Sequence, residues 1–519
     1  MFVFYNFCLL LTSGNSFTNT VGLFCAARRP HTEVAVHYIG QMNVECPYCR
    51  ALHWAQERTD GSQIHPLFGM CCDKGKVQLD SLPEPPEILR VLLDYTNKSR
   101  EAVEFRSNIA QYNSALAFTS IGVQVDEHVN HIGRGQPVFR IHGELRHWSG
   151  TLLPYQNSAP SYAQLYILDP YAAQVHRMNR NENLDAHVMQ QLQDMLIQHN
   201  IYVPIYKSAW EILQEHQNTP NYSVRLRLLP GFDQHHYNKA TADEIAVLVP
   251  GDETIPTDKH DIVLRLRTPN GHYPLQRVWD THASYAPLHY VLLFPYGEAG
   301  WDFNLHLHEP EKQRPSRLTL TRYVSYRIHS RSNEYSTILH GGRLFQRYIV
   351  DMWAAADQQC LTYLRTHQQE LRAELYQGLA DALDQADVNN PDSVDLNSIG
   401  RRIILPSSYI GGARYMHQRF RDAMAAVRHF KKIDLFITVT ANPEWPEIKE
   451  NLFEGQTAYD RPDLVSRVFK VKVKAIIDDI YRQGIFGRAL AYIYTVEFQK
   501  RSLPHIHLLV VLQVSYFEC

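Results

Sequence analysis

Apolar residues recur at helical spacing over residues 88–111, over "NLDAHVMQQLQDMLIQ" and over most of residues 321–383. Between these stretches the period changes. "PVFRIHGEL" alternates apolar and polar as a half-buried strand does, and "AQLYIL", "DEIAVLV", "DIVLRLR" and "HYVLLF" are short apolar runs that also read as strands. A polar, Pro- and Asn-containing break, "QADVNNPDSVDLNSIG", separates the long helical region from the C-terminal portion.

That C-terminal portion is the most legible. "DLFITVT" predicts a buried strand closed by the turn "ANPEWPE". Asp460 and Pro462 open a helix that carries Leu464, Val468, Phe469, Ile476, Ile477 and Ile480 on its apolar side and ends at Gly484. "RALAYIYTVEFQ" and "HIHLLVVL" are two further strands joined by "KRSLP". The order strand, helix, strand, strand predicts a small sheet with helices on one side, and the whole chain reads as α+β and multidomain.

Composition narrows the class without naming a function. A chain of 519 residues can bury several cores, and its formal net charge of −3 gives no global field that would draw in nucleic acid. Binding of that kind must come from local patches. "MFVFYNFCLLLTSG" is apolar but has no basic flank and is too short to span a bilayer, so residues 1–35 are a leader of uncertain status and no membrane partner is expected. Further boundaries fall after a cysteine-rich unit (36–82) and an α+β region (83–317), leaving residues 318–519 as the C-terminal domain.

Four of the eight cysteines cluster as Cys46, Cys49, Cys71 and Cys72, which is no disulfide framework. The Cys46-x-x-Cys49 spacing makes a metal knuckle, and the return at Cys71 and Cys72 completes a structural zinc site of treble-clef or ribbon type. Adjacent cysteines seldom both ligate one ion, so His53 and His65 are alternatives for the fourth position. The role expected of the ion is to fold a small module short of core.

In "HIHLLVV" two histidines stand two residues apart on a strand, so His505 and His507 project from one face about 7 Å apart at Cα. If residues 500–504 form the hairpin loop, Gln499 pairs with His505 and Glu497 with His507, on the same face. Two imidazoles and one such oxygen make an open site suited to Mg²⁺ or Mn²⁺. Histidines so placed also commonly do no more than line a polar groove.

"DLFITVTANPEWPEI", "DRPDLVSRVFKVKV" and "YTVEFQKRSLPHIHLLVVL" together resemble the helicase-like N-terminal domain of Helitron transposases, over roughly residues 318–512. "MNVECPYCRALHWAQE" with "FGMCCDKGKVQL" resembles the cysteine-rich segment that precedes that domain. The resemblance implies an HUH rolling-circle nuclease, U being a hydrophobic residue, built on an antiparallel sheet with flanking helices. It implies a nickase and strand transferase of single-stranded DNA, located in the nucleus. His505 and His507 would be its metal ligands, with Glu497 or Gln499 as a third. Asn442, Pro443 and Trp445 match the family's Asn-Pro-x-Trp motif and would shape the sheet edge. The family's nucleophilic tyrosines lie well downstream of the histidines, whereas only Tyr516 follows Leu512 here. The expectation is therefore a truncated relative, missing the last helix and strand of the fold and inactive alone. "GMCCDKGKV" has one residue too many between its glycines for a Walker A loop, so ATP hydrolysis is not expected.

Upstream of the first C-terminal strand, Arg401, Arg402, Arg414, Arg419, Lys431 and Lys432 accumulate with aromatic residues among them. The segment suits single-stranded DNA, with a phosphate at a helix N-terminus near Arg414, although solvated helix faces carry such charge runs too. A noncatalytic single-strand-binding protein that uses the zinc unit and this segment is the alternative function.

Overall fold

The structure is a computed structural model that describes residues 8–11, 37–125, 141–154, 158–215, 222–226, 246–250, 262–264, 276–367, 405–498 and 503–513. It is α+β, with helices packed around small antiparallel sheets. Four strands form the sheet that matters here: β1 (Cys8–Leu11), β2 (Leu435–Thr440), β3 (Ala489–Phe498) and β4 (Pro504–Leu512), in the spatial order β1-β3-β4-β2. All neighbours run antiparallel. Residues 8–11, within the stretch expected to be a leader, form an edge strand of this sheet, paired Cys8 to Tyr494 through Leu11 to Ala491.

One face of this sheet is buried. Ile506, Leu508 and Val510 of β4 and Tyr492 of β3 pack with Leu464, Val468, Phe469 and Ile480 of the helix Pro462–Tyr481. The opposite parity puts Phe436, Thr438 and Thr440 of β2, Glu497 of β3 and His505 and His507 of β4 on the other face. The helix begins where Pro462 needs no amide partner. Arg461, just before it, is wholly buried and grips Asp463 through two bonds of 3.0 and 2.8 Å.

A second core is helical. It packs the helices Glu87–Leu93, Arg100–Leu116, Ala186–His199, Tyr202–Glu215 and Arg343–Thr366 around Phe105, Tyr112, Leu192, Tyr206, Phe294 and Phe345. The expected helix over residues 88–111 is two helices, because Asp94 caps a turn through Thr96 between them. "AQLYIL" is a 3₁₀ turn, Tyr162–Tyr166, closed by a capping box between Ser161 and Gln164, and "HYVLLF" is a helix end followed by turns. The first is largely and the second wholly buried, and in such short apolar runs period cannot separate a strand from other buried backbone. "PVFRIHGEL" does contain a strand, Ile141–Ser149.

The cysteine unit lies between the cores. Cys46, Phe68, Cys71, Cys72 and Val77 belong to the helical one, whereas Ile39, Met42 and Trp54 belong to the sheet one. Among the described residues no helix is long and apolar enough to cross a membrane.

Candidate metal centres

The first centre is built by two short turns. Cys46-Pro47-Tyr48-Cys49 lies in the connection between the strands Val44–Glu45 and Leu52–His53, held by Arg50 N–H donating to the Cys46 carbonyl at 2.9 Å. Cys71 and Cys72 enter from a turn in which Asp73, Lys74 and Gly75 all have positive φ. Gly75 is required there, because a Cβ would stand 2.6 Å from the Tyr48 ring, where the two turns interlock.

All four sulphurs lie within 4.8 Å of one another. The Sγ of Cys72 is 3.6 Å from that of Cys46 and 3.7 Å from that of Cys71. Tetrahedral zinc with Zn–S of about 2.3 Å requires sulphur pairs roughly 3.8 Å apart, so the set fits that ion. Cys46, Cys71 and Cys72 are buried and Cys49 is half-buried. Hydrogen bonds from Cys49, Cys71 and Cys72 hold the Cys46 thiol far below its usual range, and the same contacts push Cys71 and Cys72 up. Four touching thiols do not all ionise without a cation. Gly75 N–H donates to Cys72 Sγ at 3.3 Å, as a ligating sulphur requires. This group can hold a metal such as zinc.

Both adjacent cysteines therefore join the cluster, and neither histidine alternative does. His53 is buried, stacked on Phe68 at 3.9 Å with its Nδ1 3.1 Å from Glu57, and His65 is exposed on a hairpin. Glu57 is in turn held by Arg467 of the long helix at 2.6 and 2.8 Å, and Arg467 lies over the Trp54 ring. Sequence reasoning missed this buried junction between the cysteine unit and the sheet core. Its signal, a Glu and an Arg about four hundred residues apart, is not readable from one sequence.

The second candidate lies on the other face of the sheet, which is buried at Ile493 and Val511 and open toward the edge strand β2, at Phe436 and Thr438. The hairpin between β3 and β4 closes at Phe498–Pro504, so Glu497 pairs with His505 and Thr495 with His507. This corrects the expected register, which put Gln499 opposite His505. Pro504, lacking an N–H, takes the first strand position and gives its carbonyl to Ala441 N–H at 2.9 Å. The shift moves both strands by one residue, so parity survives and Glu497 keeps its face. Gln499 lies outside the described residues.

The two imidazoles meet at Nε2, 3.2 Å apart, and Glu497 Oε2 is 4.0 Å from His507 Nε2. Behind them, Thr440 Oγ1 lies 2.7 Å from His505 Nδ1 and Thr438 Oγ1 3.2 Å from His507 Nδ1. Each ring is thus tethered at Nδ1 with Nε2 turned to one shared point, as outer-sphere partners of metal-bound histidine do. Burial, and then repulsion from His507, lower the pKa of His505 against the pull of Glu497, which keeps its imidazole neutral and able to ligate. His505 is 7% exposed, and the His507 side chain is 34% exposed. The arrangement has one sheltered member and one open one.

Asn442 accepts from Glu444 N–H at 2.9 Å and turns the chain after β2. Trp445 then packs against the sheet core beneath Lys472, whose ammonium pairs with the buried Glu447 at 2.6 Å. Of the basic segment, Arg414, Arg419, Arg421 and Arg428 lie on the helix Ala413–Phe430, with Arg421, Arg428 and Phe420 exposed. Arg419 lies over the Tyr415 ring at 5.1 Å. Lys431 is exposed at the helix C-cap, whereas Lys432 is committed to Asp434 at 2.9 Å. Arg401, Arg402 and Tyr516 lie outside the described residues.

With this geometry in place, residues 323–510 match the family described as the Helitron helicase-like domain at N-terminus. No curated protein matches the chain.

Proposed function

We propose that residues 323–510, which belong to the Helitron helicase-like family, form an HUH-type domain that grips single-stranded DNA and presents one of its phosphates for nucleophilic attack. The observation that carries this reading is the convergence of His505 and His507 at Nε2, 3.2 Å apart, beside Glu497. At a metal–nitrogen distance of about 2.1 Å that separation corresponds to roughly 100° at an ion, between the octahedral and tetrahedral angles. His505, His507 and Glu497 would hold Mg²⁺ or Mn²⁺, which supplies charge withdrawal from a phosphate oxygen. With Thr438 and Thr440 accepting from Nδ1–H, the two imidazoles would take the tautomer that leaves Nε2 free for the ion. In the family chemistry a tyrosine hydroxyl forms the new bond to phosphorus and the 3′ oxygen leaves, so that bond energy is kept for rejoining.

The cysteine unit braces this domain through Glu57 and Arg467, and the Ala413–Phe430 helix supplies basic residues for the DNA backbone. A nuclear location accords with this reading. Exposure of Arg421, Arg428 and Phe420 on that helix also supports the second reading, in which the chain binds single strands without cleaving them.

The test is binding of a fluorescent single-stranded oligonucleotide to the full chain with and without Mn²⁺. Binding stronger with Mn²⁺, weakened by salt and insensitive to Mn²⁺ in His507→Ala is the expected result. Equal affinity with and without Mn²⁺ would favour the noncatalytic reading.

A further inference from the structure

The open sheet face carries one side chain that the metal centre does not explain. Phe436 stands on β2 two residues before Thr438, in the row that continues through Thr440, and is 65% exposed. A large aromatic left in water on a strand loses the burial that ordinarily stabilises it. Its ring lies nearly parallel to that of His507, with centroids 5.4 Å apart and planes inclined by 14°. Phe436 therefore lies offset beside the imidazole that ends at the candidate metal position, with most of its ring open to solvent.

We propose that Phe436 is a stacking platform for a nucleobase of single-stranded DNA, next to the phosphate held at His505 and His507. This rests on the metal-site reading above. Two residues of strand cover about 7 Å, on the order of one extended nucleotide, so the base beside the held phosphate falls over Phe436. Continuing in the same direction, the chain reaches Asp434, whose carboxylate is held by Lys432 at 2.9 Å, and before it the exposed Lys431 and, at the end of the preceding helix, the exposed Arg428. A metal-held phosphate beside an exposed aromatic ring, with cations further along the chain, is the sequence-tolerant combination that grips single strands. Duplex DNA, whose bases are stacked on one another, offers Phe436 no free face.

The experiment uses the full chain and oligonucleotides carrying 2-aminopurine at successive positions, whose fluorescence falls on stacking. Quenching at one position is expected, with Phe436→Leu abolishing it and weakening single-strand affinity about tenfold. Phe436→Trp should keep both, and Mn²⁺ affinity of the Leu variant should stay within about twofold of the parent. Unchanged affinity and quenching in Phe436→Leu would overturn the platform while leaving the metal site standing. Loss of Mn²⁺ affinity in that variant with no stacking signal in the parent would overturn it too, by reducing Phe436 to a prop for His507. Quenching is also read without metal, so failure of the parent to bind Mn²⁺ would refute the metal site alone.

Discussion

The smallest determinants of the geometry at the histidine pair are two hydroxyls. Without Thr438 and Thr440 the rings of His505 and His507 could turn about their Cβ–Cγ bonds, and the 3.2 Å meeting of their Nε2 atoms would be one geometry among several. Outer partners of metal-bound histidine are worth about ten- to hundredfold in affinity. Thr440→Val, which keeps the shape and removes the hydroxyl, should weaken Mn²⁺ binding about tenfold without changing the circular dichroism spectrum. An unaltered Mn²⁺ affinity would mean that the hydroxyl only fills space. The histidines were readable from the sequence because a two-residue spacing on a strand fixes a shared face. The threonines were not, because their role depends on which strand lies beside β4, and β2 is more than sixty residues away in the chain.

At the scale of elements, the long helix and the three C-terminal strands lie where the apolar runs place them, but "DLFITVT" is not the buried strand expected: it is an edge strand with alternate residues exposed, Phe436 among them, because no further strand covers it among the described residues. Where both sides of a segment are buried, as at "HYVLLF", the period carries no such information and the expected strand is a set of turns. Residue spacing also undersold the cysteine unit. Cys71 and Cys72 are neighbours, yet the positive-φ turn through Asp73, Lys74 and Gly75 brings both sulphurs to Cys46. The chain purified without chelator should carry one zinc per molecule by elemental analysis, and Cys46→Ser should lose it and lower the thermal midpoint. Absence of stoichiometric zinc would leave the cluster as four buried thiols. The loss should reach beyond the unit, because Glu57 and Trp54 next to it hold Arg467 of the helix that backs the sheet. Breaking a buried pair of this kind costs about 3–5 kcal/mol.

Across the whole molecule, a net charge of −3 gives no hint of a polyanionic partner, and the residues proposed to meet one through a metal ion and a stacking ring share one face of a single small sheet. The cysteine unit joins the helix that backs that sheet through Glu57 and Arg467. Function at that face depends on whether His505, His507 and Glu497 bind a divalent ion. Titration of the zinc-loaded chain with Mn²⁺, followed by the loss of the free-ion electron paramagnetic resonance signal, measures this directly. One Mn²⁺ bound per chain, and none in His505→Ala or His507→Ala, is the expected result. Equal Mn²⁺ binding by the parent and both variants, or none by the parent, would contradict a metal centre on the open face.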